Sequence, residues 1–164
     1  MPTSSTIIED IDTMRKSGLA SLAMFYCDFR EEQKKAVRGL LSSVLVQLCH
    51  QSDTYCGFLS ELYSEHKGGF ESPSDGRLVR CLKDVLKVPR QAPIFLVVDA
   101  LDECSNTPSL SSPRGEVLTL LEDLIYSQLP NLRICVTSLP EADIKGILEP
   151  LQSIPFPYTS RMDK

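Results

Sequence analysis

Twelve residues, Pro93-Ile94-Phe95-Leu96-Val97-Val98-Asp99-Ala100-Leu101-Asp102-Glu103-Cys104, constrain the fold more than any other stretch. Their unbroken apolar run, without alternation, predicts a strand buried on both faces, as in the interior of a parallel sheet. The strand ends in a carboxylate, Asp99, and a tight loop then carries two more, Asp102 and Glu103. Ligands of open α/β sheets bind at the carboxyl ends of the strands, so these three acids are the candidate site residues. The plain alternative is a core strand that runs into a solvated acidic turn.

The rest of the chain supplies the layers such a strand needs. A helix is predicted after the small polar residues 1–5, to about Lys16, with Ile7, Ile8, Ile11 and Met14 on one face and Gly18 as its stop. Leu19 to Phe29 reads as a second buried strand, ending at Asp28 with Arg30 just beyond. Residues 32–50 give the clearest helix, with Val37, Leu40, Leu41, Val44, Leu45 and Leu48 at helical spacing. A helix over 53–66 follows, with Phe58, Leu59, Leu62 and Tyr63 inward. Ser72-Pro73 reads as the N-cap and first position of the next helix, which Pro89 ends. Ser112-Pro113 opens another, Leu132 to Ser138 is a third strand, and Pro140 begins a last helix through Leu151. The tail 153–164 lacks periodicity and is expected to be irregular. Strands that alternate with helices imply a parallel sheet with helices on its faces.

Composition removes several classes of function. A net charge of −5 argues against a general nucleic-acid surface. No apolar run nears the roughly 20 residues that span a bilayer, and no basic-then-apolar leader opens the chain. The six cysteines form no C-x-x-C and there are two histidines, His50 and His66, so zinc is not expected. Scattered cysteines on apolar faces fit a reduced, cytoplasmic setting. The acids of 28–32 and 141–143, and Lys34, Lys35 and Arg38, read as solvated charges.

An acid at this strand end is what Mg²⁺ chemistry needs, because hydrated Mg²⁺ meets only one or two protein carboxylates. A second nearby acid can orient an attacking water. Three signatures in order resemble a NACHT-type NTPase module of the nephrocystin-like N-terminal kind, over roughly residues 5–152. They are Phe25-Tyr26-Cys27-Asp28-Phe29, Val97-Val98-Asp99-Ala100-Leu101-Asp102-Glu103-Cys104 as Walker B, and Ile134-Cys135-Val136-Thr137-Ser138-Leu139-Pro140-Glu141 as the sensor strand and its turn. The resemblance implies a P-loop fold, Mg²⁺ and ATP or GTP as cofactors, Asp99 at the metal, and Asp102 and Glu103 around the attacking water. It also implies a nucleotide-gated signalling switch that oligomerises.

The departures shape the expectation. No Gly-Lys-Ser/Thr occurs, so the phosphate cradle of Walker A, its lysine and its Mg²⁺ hydroxyl are missing. Leu139 stands where the family has Arg. The expected fold is therefore a partial P-loop α/β fold over residues 1–152, truncated at its start, with the central P-loop strand missing and the Leu132–Thr137 strand left as an exposed edge. The chain is expected not to bind or hydrolyse nucleotide alone. The alternative function is a non-catalytic scaffold or decoy. Expected partners are further copies or full-length NACHT proteins, with no nucleic acid and no membrane. A helicase is disfavoured because Asp99 ends the strand three residues before Asp102-Glu103. No G-x-S-x-G supports an esterase or protease.

Overall fold

The computed structural model describes residues 4–28, 36–107, 112–153 and, for the backbone, 158–162. Phe29, Arg30, Glu32, Lys34 and Lys35, which entered the sequence reading, lie outside the described residues.

The elements in order are α1 (Ser4–Lys16), β1 (Ser21–Tyr26), α2 (Ala36–Cys49), α3 (Asp53–Glu65), α4 (Asp75–Leu86), β2 (Ile94–Asp99), α5 (Pro113–Tyr126), β3 (Leu132–Ser138), α6 (Ala142–Leu151) and β4 (Tyr158–Met162). Two short 3-10 turns, Lys67–Gly69 and Leu101–Glu103, lie between them. The four strands form one parallel sheet in the order β1-β2-β3-β4.

The apolar run around Val97 is central because both of its faces are covered. Ile94, Leu96 and Val98 point into the main core with Ala23, Leu132, Ile134 and Val136, under side chains of α2, α4, α5 and α6. Val97 points the other way, with Leu22 and Cys135, against Ile11, Ile7 and Ile8 of α1. Strand alternation sorts the two sets. The helices are therefore unevenly shared, with a broad layer on one face and α1 on the other.

Local chemistry sets the ends. Gly18, with a φ of +71°, turns the chain out of α1. The Ser112 hydroxyl accepts the Gly115 N–H at 3.0 Å and caps α5, as its sequence predicts. At α4 the cap is Ser74, not Ser72; its hydroxyl accepts the Arg77 N–H at 3.3 Å, so Pro73 lies before the helix. Tyr63 is also not inward: it is 60% exposed and lies over the Gly68-Gly69 turn, where a Cβ on Gly69 would sit 2.7 Å from its ring.

The tail corrects the largest expectation. Residues 158–162 are a strand, not an irregular tail, and pair with β3 from Ile134↔Tyr158 to Ser138↔Met162. The slot beside β3, expected to stand empty, is filled by β4, so β3 is not an edge. A parallel pairing needs a crossover of a dozen or more residues, and α6 supplies it. The tail shows no apolar run that would have announced this strand.

Candidate functional site

The acidic loop sits at the carboxyl end of β2, between β1 and β3. Asp99 is the last residue of β2 and is half-buried. Ala100 then takes a left-handed conformation, φ 56° and ψ 47°, which costs a non-glycine residue about 1 kcal/mol. That reversal turns the chain into the 3-10 turn, where Leu101 is fully buried and carries the loop into the core. Asp102 stays half-buried and Glu103 is exposed.

Each carboxylate is held by a different neighbour. The Thr137 hydroxyl of β3 donates to Asp99 and accepts the Ala100 N–H at 3.1 Å. Asp102 accepts the Leu139 N–H at 2.9 Å, and so ties the loop to the turn after β3. Glu103 accepts from the Tyr26 hydroxyl at 3.3 Å, at the end of β1. The Glu103 charge, and then desolvation, push the Tyr26 phenol above its ordinary value. The structure thus brings Asp99, Asp102 and Glu103 to one loop that is anchored on both sides.

Arg114, in the first turn of α5, holds this loop from beneath and is only 5% exposed. Its Nε donates to the Cys104 carbonyl at 3.0 Å, and its Nη2 to the Asp102 carbonyl. Nη1 pairs with Glu141 and, at 3.3 Å, with Asp143. Burial alone would favour the neutral guanidine, but Glu141 and Asp143 outweigh it and hold Arg114 more firmly charged. Sequence reading missed Arg114 and Thr137 as parts of the site. An arginine directly after a helix-opening Ser-Pro, where like-signed dipole charge disfavours it, was the available signal.

The donor set is all oxygen, which suits a hard cation. Among the described residues no three His, Cys, Asp or Glu side chains converge on one point. A cation here would therefore keep most of its waters, as Mg²⁺ does. The glycine turn at 68–69 packs on Tyr63 and forms no cradle at the acidic loop. A groove of about 690 Å³ lies elsewhere, lined by residues such as Val37, Val79, Leu120 and Ile147 of the helical layer. No described helix is long and apolar enough to cross a membrane.

No curated protein and no solved structure matched the chain. The family described as nephrocystin 3, N-terminal, matches residues 3–138, most of the chain, from the start of α1 to the end of β3. With the acidic loop and both strands that anchor it inside the matched region, the chain belongs to the nephrocystin 3 N-terminal family.

Proposed function

We propose that the chain is a NACHT-type signalling module that carries the metal-and-water side of a nucleotide switch and does not hydrolyse ATP or GTP by itself. The carrying observation is the loop geometry: Asp99 at the end of the central strand, oriented by Thr137 of the neighbouring strand. The Asp99 oxygen that Thr137 does not occupy would hold hydrated Mg²⁺, which supplies charge neutralisation for phosphates when bound. Asp102 and Glu103 stand three and four residues on, where an acid can orient water. Asp102 also fixes the Leu139 turn, so its first task is to join the two loops. Walker A residues are needed to hold phosphates, and this sequence contains no Gly-Lys-Ser/Thr.

The test is a titration of the purified chain with fluorescent ATP, ADP and GTP in Mg²⁺, beside Asp99→Ala. No saturable binding by either folded protein is expected. Binding that saturates and disappears in Asp99→Ala would overturn the proposal, because the phosphates would then be held without the lysine. A second reading, a scaffold that pairs with other NACHT proteins, is favoured by β4, which ends the sheet order among the described strands. Co-purification with a full-length relative, abolished when residues 153–164 are removed, is the outcome that reading requires.

A further inference from the structure

We propose that the apolar groove between α2, α3 and the 67–69 turn receives Phe70 of a second copy of this chain, in a weak two-fold dimer. The inference is independent of the acidic loop. The groove has a volume of about 310 Å³, and its walls include Leu45, Val46, Leu59, Leu62 and Tyr63. An apolar cavity of about 150 Å³ already accepts a benzene ring, so the groove has room for a phenyl group. Phe70 is 93% exposed and therefore does not fill it from its own chain. Its neighbours Gly69 and Glu71 both line the groove, which puts Phe70 at the rim.

A lone exposed aromatic residue needs no partner to explain it. Phe70 is not alone, because Tyr63 and Val46 are exposed walls of the adjoining groove and make the apolar surface contiguous. Nor is its backbone loose. The Gly69 N–H donates to the His66 carbonyl at 3.1 Å, and the Glu71 N–H donates to the same carbonyl at 3.3 Å. The chain on both sides of Phe70 is thus bonded to the end of α3. A projecting group fixed in this way loses little freedom when it docks.

The occupant follows from this placement. A two-fold contact needs a patch that is complementary to itself, with the projecting group and its receptor side by side. Phe70 and the groove are such a patch, so the rotation that seats one phenyl seats the other. The charges allow it although the chain carries a net −5. The rim holds both signs in pairs, Lys67 with Glu71 and Glu65 with Arg77, so a second copy does not meet a single-signed surface. Area sets the strength. Two aromatic residues per copy, roughly 150–250 Å² each, give the pair well under the ~1,200 Å² of a standard stable interface. The dissociation constant is therefore on the order of 0.1–1 mM, and the chain is a monomer at micromolar concentration.

The experiment is a concentration series of the full ¹⁵N-labelled chain, from about 20 μM to about 2 mM, read as amide shifts. Amides of residues 42–46, 59–63 and 67–71 are expected to move together and approach saturation. Phe70→Ala changes a side chain that packs on nothing in its own fold, and should weaken the association roughly tenfold or more. A crossed titration identifies the occupant. Labelled Phe70→Ala keeps the groove; unlabelled Val46→Lys keeps the phenyl but carries a charge on the groove's lip. Mixing them should move the groove amides of the labelled chain, with one insertion in place of two, and adding unlabelled Phe70→Ala instead should not. Parent amides that stay fixed up to about 2 mM would overturn the proposal. So would a Phe70→Ala chain that associates as the parent does, or shifts that map to β4. Should Val46→Lys fold poorly, the comparison of the parent with Phe70→Ala still decides.

Discussion

Along β1 the outward backbone groups meet glutamine side chains, whereas along β3 they meet another strand. Gln51 Oε1 accepts the Leu22 N–H at 2.9 Å while its Nε2 donates to the Leu22 carbonyl at 2.7 Å. Gln47 does the same for Met24, at 2.9 and 2.7 Å. The two glutamines, Gln47 in the last turn of α2 and Gln51 just beyond it, present amides with the donor and acceptor of a neighbouring strand. An open edge invites pairing with other chains, and here it is capped without a further strand. The β3 side is closed by backbone that must travel through α6 to return. One closure is made by side chains 23 and 29 residues along the chain, the other by main chain that begins 20 residues after β3 ends. The acidic loop lies between the two, tied to β1 through Tyr26 and to β3 through Thr137.

The contrast can be broken most strongly at β4. Removal of residues 153–164 uncovers β3 and removes a five-residue pairing, at about 1 kcal/mol per main-chain hydrogen bond. A loss of roughly 3–5 kcal/mol in denaturant unfolding is expected, together with concentration-dependent association in light scattering. A chain that stays monomeric and equally stable would show that β4 contributes nothing to closure.

Arg114→Met supplies the control, since it destabilises without opening either edge. Taking one partner from this buried network leaves the Asp102 and Cys104 carbonyls and two carboxylates without their cation. About 3 kcal/mol of stability should be lost, with no increase in association. If the variant associates as the truncation does, then exposed edges are not the cause of association.

Gln47→Ala and Gln51→Ala test the other edge. Each should cost about 1–2 kcal/mol for two hydrogen bonds at a half-buried site. Hydrogen exchange should rise at the Leu22 and Met24 amides specifically, and the double variant should begin to associate through β1. Unchanged exchange at those two amides would leave the glutamines as ordinary helix residues.

The smallest effect sharpens the tie between β1 and the loop. Because Glu103 raises the Tyr26 phenol above 10.0, its contribution is complete below the unfolded value near 10 and is lost as pH climbs through the higher folded value. An alkaline absorbance titration should show one tyrosine ionising late. Glu103→Gln should bring that tyrosine back toward the others, and no change would separate the two side chains in solution.

The β1-β2-β3 core was legible because each strand is a dense apolar run between turn residues, and α2 and α5 because apolar spacing and the Ser112-Pro113 cap agree. The three acids of the site were legible for a related reason: a carboxylate placed at the end of a buried strand has one place to go. The anchors were not. Thr137 looks like any strand residue, Arg114 like a surface charge, and Gln47 and Gln51 like polar helix positions. Each gains its role from a residue 10 to 38 positions away.

By itself, then, the sequence determined the alternation of strands and helices, the central place of Ile94–Asp99 and the location of the acidic loop, because hydrophobic periodicity and turn chemistry act over a few residues. The tertiary structure alone decided how the edges close and which donor serves each carboxylate. Those outcomes depend on backbone groups and single polar atoms, whose partners are chosen by the three-dimensional packing and leave no period in the chain.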